Sequence, residues 1–123
     1  YAIETFGTTG RGWVGEVGEC SHYMLTPTDH PRRRSGQIIK MPRAKKLEEH
    51  ILKHFRTLPW CHRYLEASGE SNYMIAMRNL VSANIVEEYP PLADIRGSFV
   101  AQYEHTILLR PSCKEIVSQG DDW

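Results

Sequence analysis

The sequence predicts an α+β fold in which a block of short helices interrupts a β-rich unit, and three observations predict it. Runs of β-branched and aromatic residues with period-two alternation stand near both ends, at residues 1–6 and 101–109. Apolar residues recur at helical spacing between Pro42 and Asn84. Glycine and proline clusters separate the two textures. The expected organisation is strands in 1–24, a helical insertion in 25–88 and returning strands in 89–123.

Each end run carries an acidic residue in its middle. Along 101–109, Ala101, Tyr103, His105 and Ile107 project to one face while Gln102, Glu104, Thr106 and Leu108 project to the other. Glu4 holds the same place in the first run. Two carboxylates on neighbouring strands of a covered sheet repel each other and lose hydration, which a cation between them or protonation of one would relieve. The sharper reading is a pair of ligands to a divalent metal; the plainer one is two exposed strand glutamates.

Between these runs the chain reads in order. The glycine-rich stretch 7–12 lacks the Lys-Ser/Thr ending of a nucleotide loop and no helical pattern follows it, so it reads as a connection between strands. Residues 13–17 form a short apolar piece, and 20–25 return to strand alternation with His22 and Met24 on one face. Residues 26–41 have no periodic apolar face, and Arg32-Arg33-Arg34 reads as a solvated basic loop.

Pro42 opens a first helix over 43–56 whose inner stripe is Leu47, Ile51, Phe55 and Leu58. Pro59 suits the first position of a second helix, with Cys61 and Leu65 four apart and Gly69 ending it. Ser71 is placed to cap a third, with Tyr73, Met77, Leu80, Val81 and Asn84 tracing its inner stripe and end. Three helices followed by Ile85-Val86-Glu87 resemble a winged-helix module. The third helix offers only Arg78 to a DNA groove and Glu70 stands at its start, so no specific DNA partner is expected. Tyr89-Pro90-Pro91-Leu92 forms a stiff turn, strand pattern resumes at 98–101 and 103–109, and 114–117 gives a last apolar piece before the Gly120-Asp121-Asp122-Trp123 ending.

Composition narrows the partners. Fifteen basic residues balance fifteen acidic ones, which argues against an extended nucleic-acid surface. The three cysteines, Cys20, Cys61 and Cys113, lack zinc-type spacing and suit free thiols in a reducing, cytoplasmic setting. No apolar run approaches membrane-spanning length, and no membrane partner is expected. Tyr1 begins inside an apparent strand, as in a piece of a longer polypeptide.

At this point several motifs together resemble one family. Tyr1-Ala2-Ile3-Glu4-Thr5-Phe6-Gly7-Thr8-Thr9-Gly10, Glu19-Cys20-Ser21-His22-Tyr23-Met24, Tyr89-Pro90-Pro91-Leu92 and Ala101-Gln102-Tyr103-Glu104-His105-Thr106-Ile107-Leu108-Leu109-Arg110-Pro111 are similar to the carboxyl-terminal part of the eukaryotic type 2 methionine aminopeptidases. The likeness extends over essentially all 123 residues, through the helical insertion to the Gly-Asp-Asp-aromatic ending.

The resemblance implies the pita-bread fold of creatinase and aminopeptidase, with a three-helix, winged-helix-like insertion. It implies metal-dependent removal of the initiator methionine from nascent proteins and peptides, with two divalent ions (cobalt, manganese, iron or zinc) as cofactors. Glu4 and Glu104 match the family's two metal-ligating glutamates; Glu4 would also shuttle a proton, and Glu104 would bridge both ions. His22 matches a catalytic and substrate-contacting histidine, and Phe6, Met24, Pro59 and Tyr89 match positions near the methionine pocket, the one at Pro59 usually holding a small residue.

The family's remaining ligands, two aspartates and a histidine, would lie upstream of Tyr1, so the 123 residues alone are expected to be inactive. Expected partners are a peptide with an N-terminal methionine, the missing N-terminal part of the same enzyme and, as a candidate, the ribosome. The alternative is a non-catalytic relative of the same fold that binds RNA or protein, and retention of Glu4 and Glu104 argues against it.

Overall fold

The computed structural model describes residues 1–31 and 39–121; Arg32-Arg33-Arg34, Asp122 and Trp123 lie outside the described residues. The elements in order are β1 (Ala2–Thr8), β2 (Gly15–Glu16), β3 (His22–Leu25), α1 (Pro42–His54), β4 (Trp60–Cys61), α2 (His62–Ala67), α3 (Met74–Ser82), β5 (Val86–Tyr89), β6 (Leu92–Ala93), β7 (Val100–Leu109) and β8 (Lys114–Ile116). They fall into two units, residues 1–16 with the chain from residue 92 onward, and residues 17–91.

In the first unit the two end runs pair directly. β7 is the middle strand of an antiparallel sheet of order β1-β7-β8, and β2 pairs with β6. The β1–β7 register runs without a break from Ala2 opposite Thr106 to Thr8 opposite Val100. An unbroken register keeps the side-chain alternation in phase, so Ala2, Glu4, Phe6 and Thr8 share a face with Val100, Gln102, Glu104 and Thr106. The expected alternation along 101–109 therefore holds, and one strand spans the whole run from Val100. Most side chains of this sheet are exposed among the described residues, including Phe6 and Tyr103.

The second unit holds the apolar core. Its sheet has the order β4-β3-β5, and Tyr23, Leu25, Trp60 and Val86 are buried with the inner faces of the helices. Pro42 opens α1 as expected, since its missing N–H and preset φ cost nothing in the first turn. Ala44, Leu47 and Ile51 form the buried stripe of α1. Trp60 stacks on Phe55 at 5.7 Å between ring centroids. Burying each large apolar side chain such as Leu47, Leu65 or Leu80 stabilises the unit by roughly 1.5–3 kcal/mol before chain entropy is charged.

Three local expectations are corrected. Leu58 is 68% exposed rather than on the inner stripe, because α1 stops at the C-cap Phe55 and Arg56 takes φ 54°, turning the chain out of the helix. Pro59 does not open a helix: β4 intervenes, drawn into the sheet by pairing of Trp60 with Tyr23, and α2 begins only at His62. Ser71 is not a cap either. Asn72 takes φ 51°, and Tyr73 is the residue before α3, with no side-chain cap hydrogen bond.

The helix ends follow the expected chemistry. Gly69 at φ 100° closes α2, its N–H donating to Glu66 O while Glu70 N–H donates to Leu65 O. Asn84 at φ 52° closes α3 in the same way, through Asn84 N–H to Val81 O and Ile85 N–H to Leu80 O.

Candidate functional site

Glu4 and Glu104 stand directly opposite each other in the β1–β7 register. Both carboxylates are exposed rather than covered, so water screens part of the repulsion between these facing like charges, and a positive partner would relieve the rest. The neutral Gln102 amide supplies only the positive end of a dipole: its Nε2 donates a hydrogen bond to Glu4 Oε1 and lies 3.4 Å from Glu104 Oε2. Two anionic oxygens thus converge on one electropositive point, which fits the preference of hard divalent cations for oxygen ligands. Among the described residues no group of three or more His, Cys, Asp or Glu side chains gathers, so the two carboxylates supply only part of a coordination shell.

The turn that follows β1 is built around Asp94. Its carboxylate accepts hydrogen bonds from Thr8 Oγ1 (3.0 Å) and from the backbone N–H groups of Arg11 (3.1 Å), Gly12 (2.9 Å) and Ile95 (2.6 Å). The N–H donors of Ile95 and Arg11 lead in holding this carboxyl well below the usual range, at about 2. The glycine-rich stretch is therefore folded round a carboxylate of the chain itself, consistent with a strand connection rather than a phosphate cradle.

In the second unit His22 lies between Cys61 and Tyr89 across β3, with Met24 two residues on along the same face. Ser21 Oγ is 2.9 Å from His22 Nδ1. The Tyr89 hydroxyl approaches the Met24 sulfur at 4.0 Å. Burial, then the charge of Glu87, holds that phenol above its usual range, so it stays protonated. Pro59 is exposed immediately before β4. His22, Met24 and Tyr89 are thus brought together within one sheet, as Glu4, Phe6 and Glu104 are within the other.

Beside this sheet runs a polar chain that sequence reading missed. The Tyr23 hydroxyl donates to Cys20 O (3.1 Å) and lies 3.2 Å from His62 Nε2, while Tyr73 donates to Glu66 Oε1 (3.0 Å) and lies 3.0 Å from His62 Nδ1. The His62 ring thus links the two phenols through its two nitrogens. Burial, then the Glu66 hydrogen bond, pushes the Tyr73 phenol up to about 12. No local pattern marks these residues, because the chain joins β3, α2 and the residue before α3.

No protein-family model matches the chain. Curated relatives do. It is 56% identical to methionine aminopeptidase 2 of Schizosaccharomyces pombe, aligned over all of this chain and 28% of that protein. It is 55% identical to methionine aminopeptidase 2 of Puccinia graminis and 51% identical to methionine aminopeptidase 2A of Arabidopsis thaliana, again over the whole chain and 26% and 27% of theirs. The chain matches type 2 methionine aminopeptidases along its whole length. It spans about a quarter of the length of these relatives. Among solved structures, a thermophilic Arx1 superposes with a TM-score of 0.72 and 20% identity, covering 86% of this chain and 26% of that one. At that identity the likeness is one of mixed α/β fold alone.

Proposed function

We propose that the chain is the carboxyl-terminal part of the catalytic domain of a type 2 methionine aminopeptidase, and that the complete enzyme removes the N-terminal methionine from nascent proteins and peptides. The observation that carries this is the direct apposition of Glu4 and Glu104 with converging oxygens, in a chain more than half identical to proteins of that name. The pita-bread architecture is supported by the mixed α/β likeness to Arx1. A winged-helix-like insertion is supported by α1 to α3 packed with the β4-β3-β5 sheet.

Glu4 and Glu104 would hold two divalent ions, cobalt, manganese, iron or zinc, together with ligands outside these residues. Such ions would supply Lewis-acid polarisation of the peptide carbonyl and a lowered pKa for water at neutral pH. Glu4, as a carboxylate, would accept a proton from that water and pass it to the leaving amine. His22 would contact the substrate backbone. Met24 and Tyr89, with Phe6 and Pro59, would contact the methionine side chain, whose thioether suits soft apolar neighbours. The setting is read as cytoplasmic, with a peptide as substrate, the rest of the enzyme as obligatory partner and the ribosome as a candidate partner.

The test is methionine release from a Met-Ala-Ser peptide by the complete enzyme while manganese or cobalt is titrated into metal-free material. Release that rises with metal supports the reading. Release indifferent to both metals and to chelator, or none at any metal concentration, contradicts it.

A further inference from the structure

We propose that Ser21 is a positioning residue for His22: its hydroxyl holds the imidazole at Nδ1, so that His22 presents a proton on Nε2 and meets the substrate as a hydrogen-bond donor. The inference rests on the reading of His22 as a substrate contact. It is carried by the 2.9 Å approach of Ser21 Oγ to His22 Nδ1 and by the way the segment around it is tied down.

Three backbone carbonyls of that segment are fixed. The Cys20 thiol donates to His22 O (3.2 Å), the Tyr23 hydroxyl donates to Cys20 O (3.1 Å), and His62 N–H donates to Ser21 O (3.1 Å). His22 itself is paired on both sides, with Cys61 and with Tyr89. With the backbone of Ser21 and His22 set, the hydroxyl position depends on a single staggered torsion.

Proton counting then favours one tautomer. A serine hydroxyl has one hydrogen, and a neutral imidazole has one N–H and one bare nitrogen. If Ser21 donates, its hydrogen and the bare Nδ1 are matched in one bond and the ring proton resides on Nε2. If Nδ1–H donates instead, the serine hydrogen finds no protein acceptor among the described residues and must turn to water, so the bond to the bare Nδ1 is the one that keeps both groups paired within the chain.

The consequence is chemical selectivity. A histidine with Nε2–H favours an oxygen that gains negative charge, such as a peptide carbonyl under attack, over an amine that needs an acceptor. Because a bond to developing charge tightens in the transition state, loss of Ser21 should fall on kcat more than on KM.

The test uses the complete enzyme, with imidazole 15N chemical shifts of His22 read alongside kcat and KM for wild type, Ser21→Ala and Ser21→Thr. The expected result is the Nε2–H tautomer in wild type and Ser21→Thr. In Ser21→Ala we expect a tautomer mixture, with kcat lowered roughly 10-fold, KM little changed, and recovery in the threonine variant. A wild-type His22 protonated at Nδ1 overturns the proposal without recourse to any variant, as does a tautomer indifferent to Ser21→Ala. His22→Ala with undiminished kcat/KM, beside a tautomer that does respond to Ser21→Ala, would instead overturn the reading of His22 as a substrate contact.

Discussion

The carboxylate of Asp94 fills the space that a side chain at position 10 would occupy: a β-carbon built on Gly10 falls 2.4 Å from Asp94 Cγ. Gly10 is thus a glycine for reasons of space, and the turn after β1 depends on leaving that space to the aspartate. An alanine there must displace the carboxylate from its bonds to Thr8, Arg11 and Gly12. Gly10→Ala is expected to destabilise the fold by roughly 1–3 kcal/mol, read as a lower urea midpoint. Gly7→Ala is the control, since a β-carbon there meets nothing within 4 Å, and equal effects at the two positions would contradict the account.

Asp94 also sets an acid limit. Its folded pKa of about 2 lies below the ordinary 3.8, so the charged form is the one the fold prefers. The stability this contributes is present above 3.8 and is lost as pH falls from there toward 2. Asp94→Asn should lower thermal stability at neutral pH and flatten its decline across that window. Melting curves at stepped pH check this, and a variant that declines as steeply as wild type would exclude Asp94 as the source.

At the alkaline end the sign reverses. Tyr73 is raised from 10.0 to about 12, so its neutral form is preferred in the fold. Its contribution is present below 10.0 and is lost as pH rises toward 12. Tyr73→Phe should cost about 1 kcal/mol near neutral pH, from the lost bond to Glu66. It should also be less sensitive than wild type between those two pH values. Denaturation followed by circular dichroism would show it, and identical alkaline profiles would contradict the assignment.

The facing glutamates predict a conflict between stability and function. Without metal, Glu104→Gln removes a like-charge pair from the middle of the β1–β7 register and should raise stability by roughly 0.2–1 kcal/mol. With saturating manganese the order should reverse, because only the wild type gains binding energy from the ion. Paired melting curves with chelator and with metal read both signs, and a variant less stable than wild type in chelator would remove the repulsion argument.

Much of this was legible in the sequence, and the reasons differ by element. The mid-strand acids of residues 1–6 and 101–109, the phase of the alternation and the α1 stripe of Leu47 and Ile51 are local periodicities, and the structure keeps them. What could not be read depends on long-range partners. Asp94 meets the turn after β1 from 82 to 86 residues away, and Gln102 earns its place between the carboxylates only through strand register. Pro59 and Ser71 carry ordinary helix-start chemistry, yet sheet pairing at Trp60 and the left-handed turn at Asn72 move those starts downstream. Propensity yields there to tertiary contacts.

The most direct measurement of the central claim is bound metal and methionine release on the same preparation of the complete enzyme, for wild type and Glu104→Ala. The variant is expected to lose metal at concentrations that saturate wild type, and release of methionine from Met-Ala-Ser to fall by at least about 100-fold with it. Full metal content with undiminished release would contradict the assignment of Glu104, and with it the reading of the Glu4–Glu104 pair as a metal site.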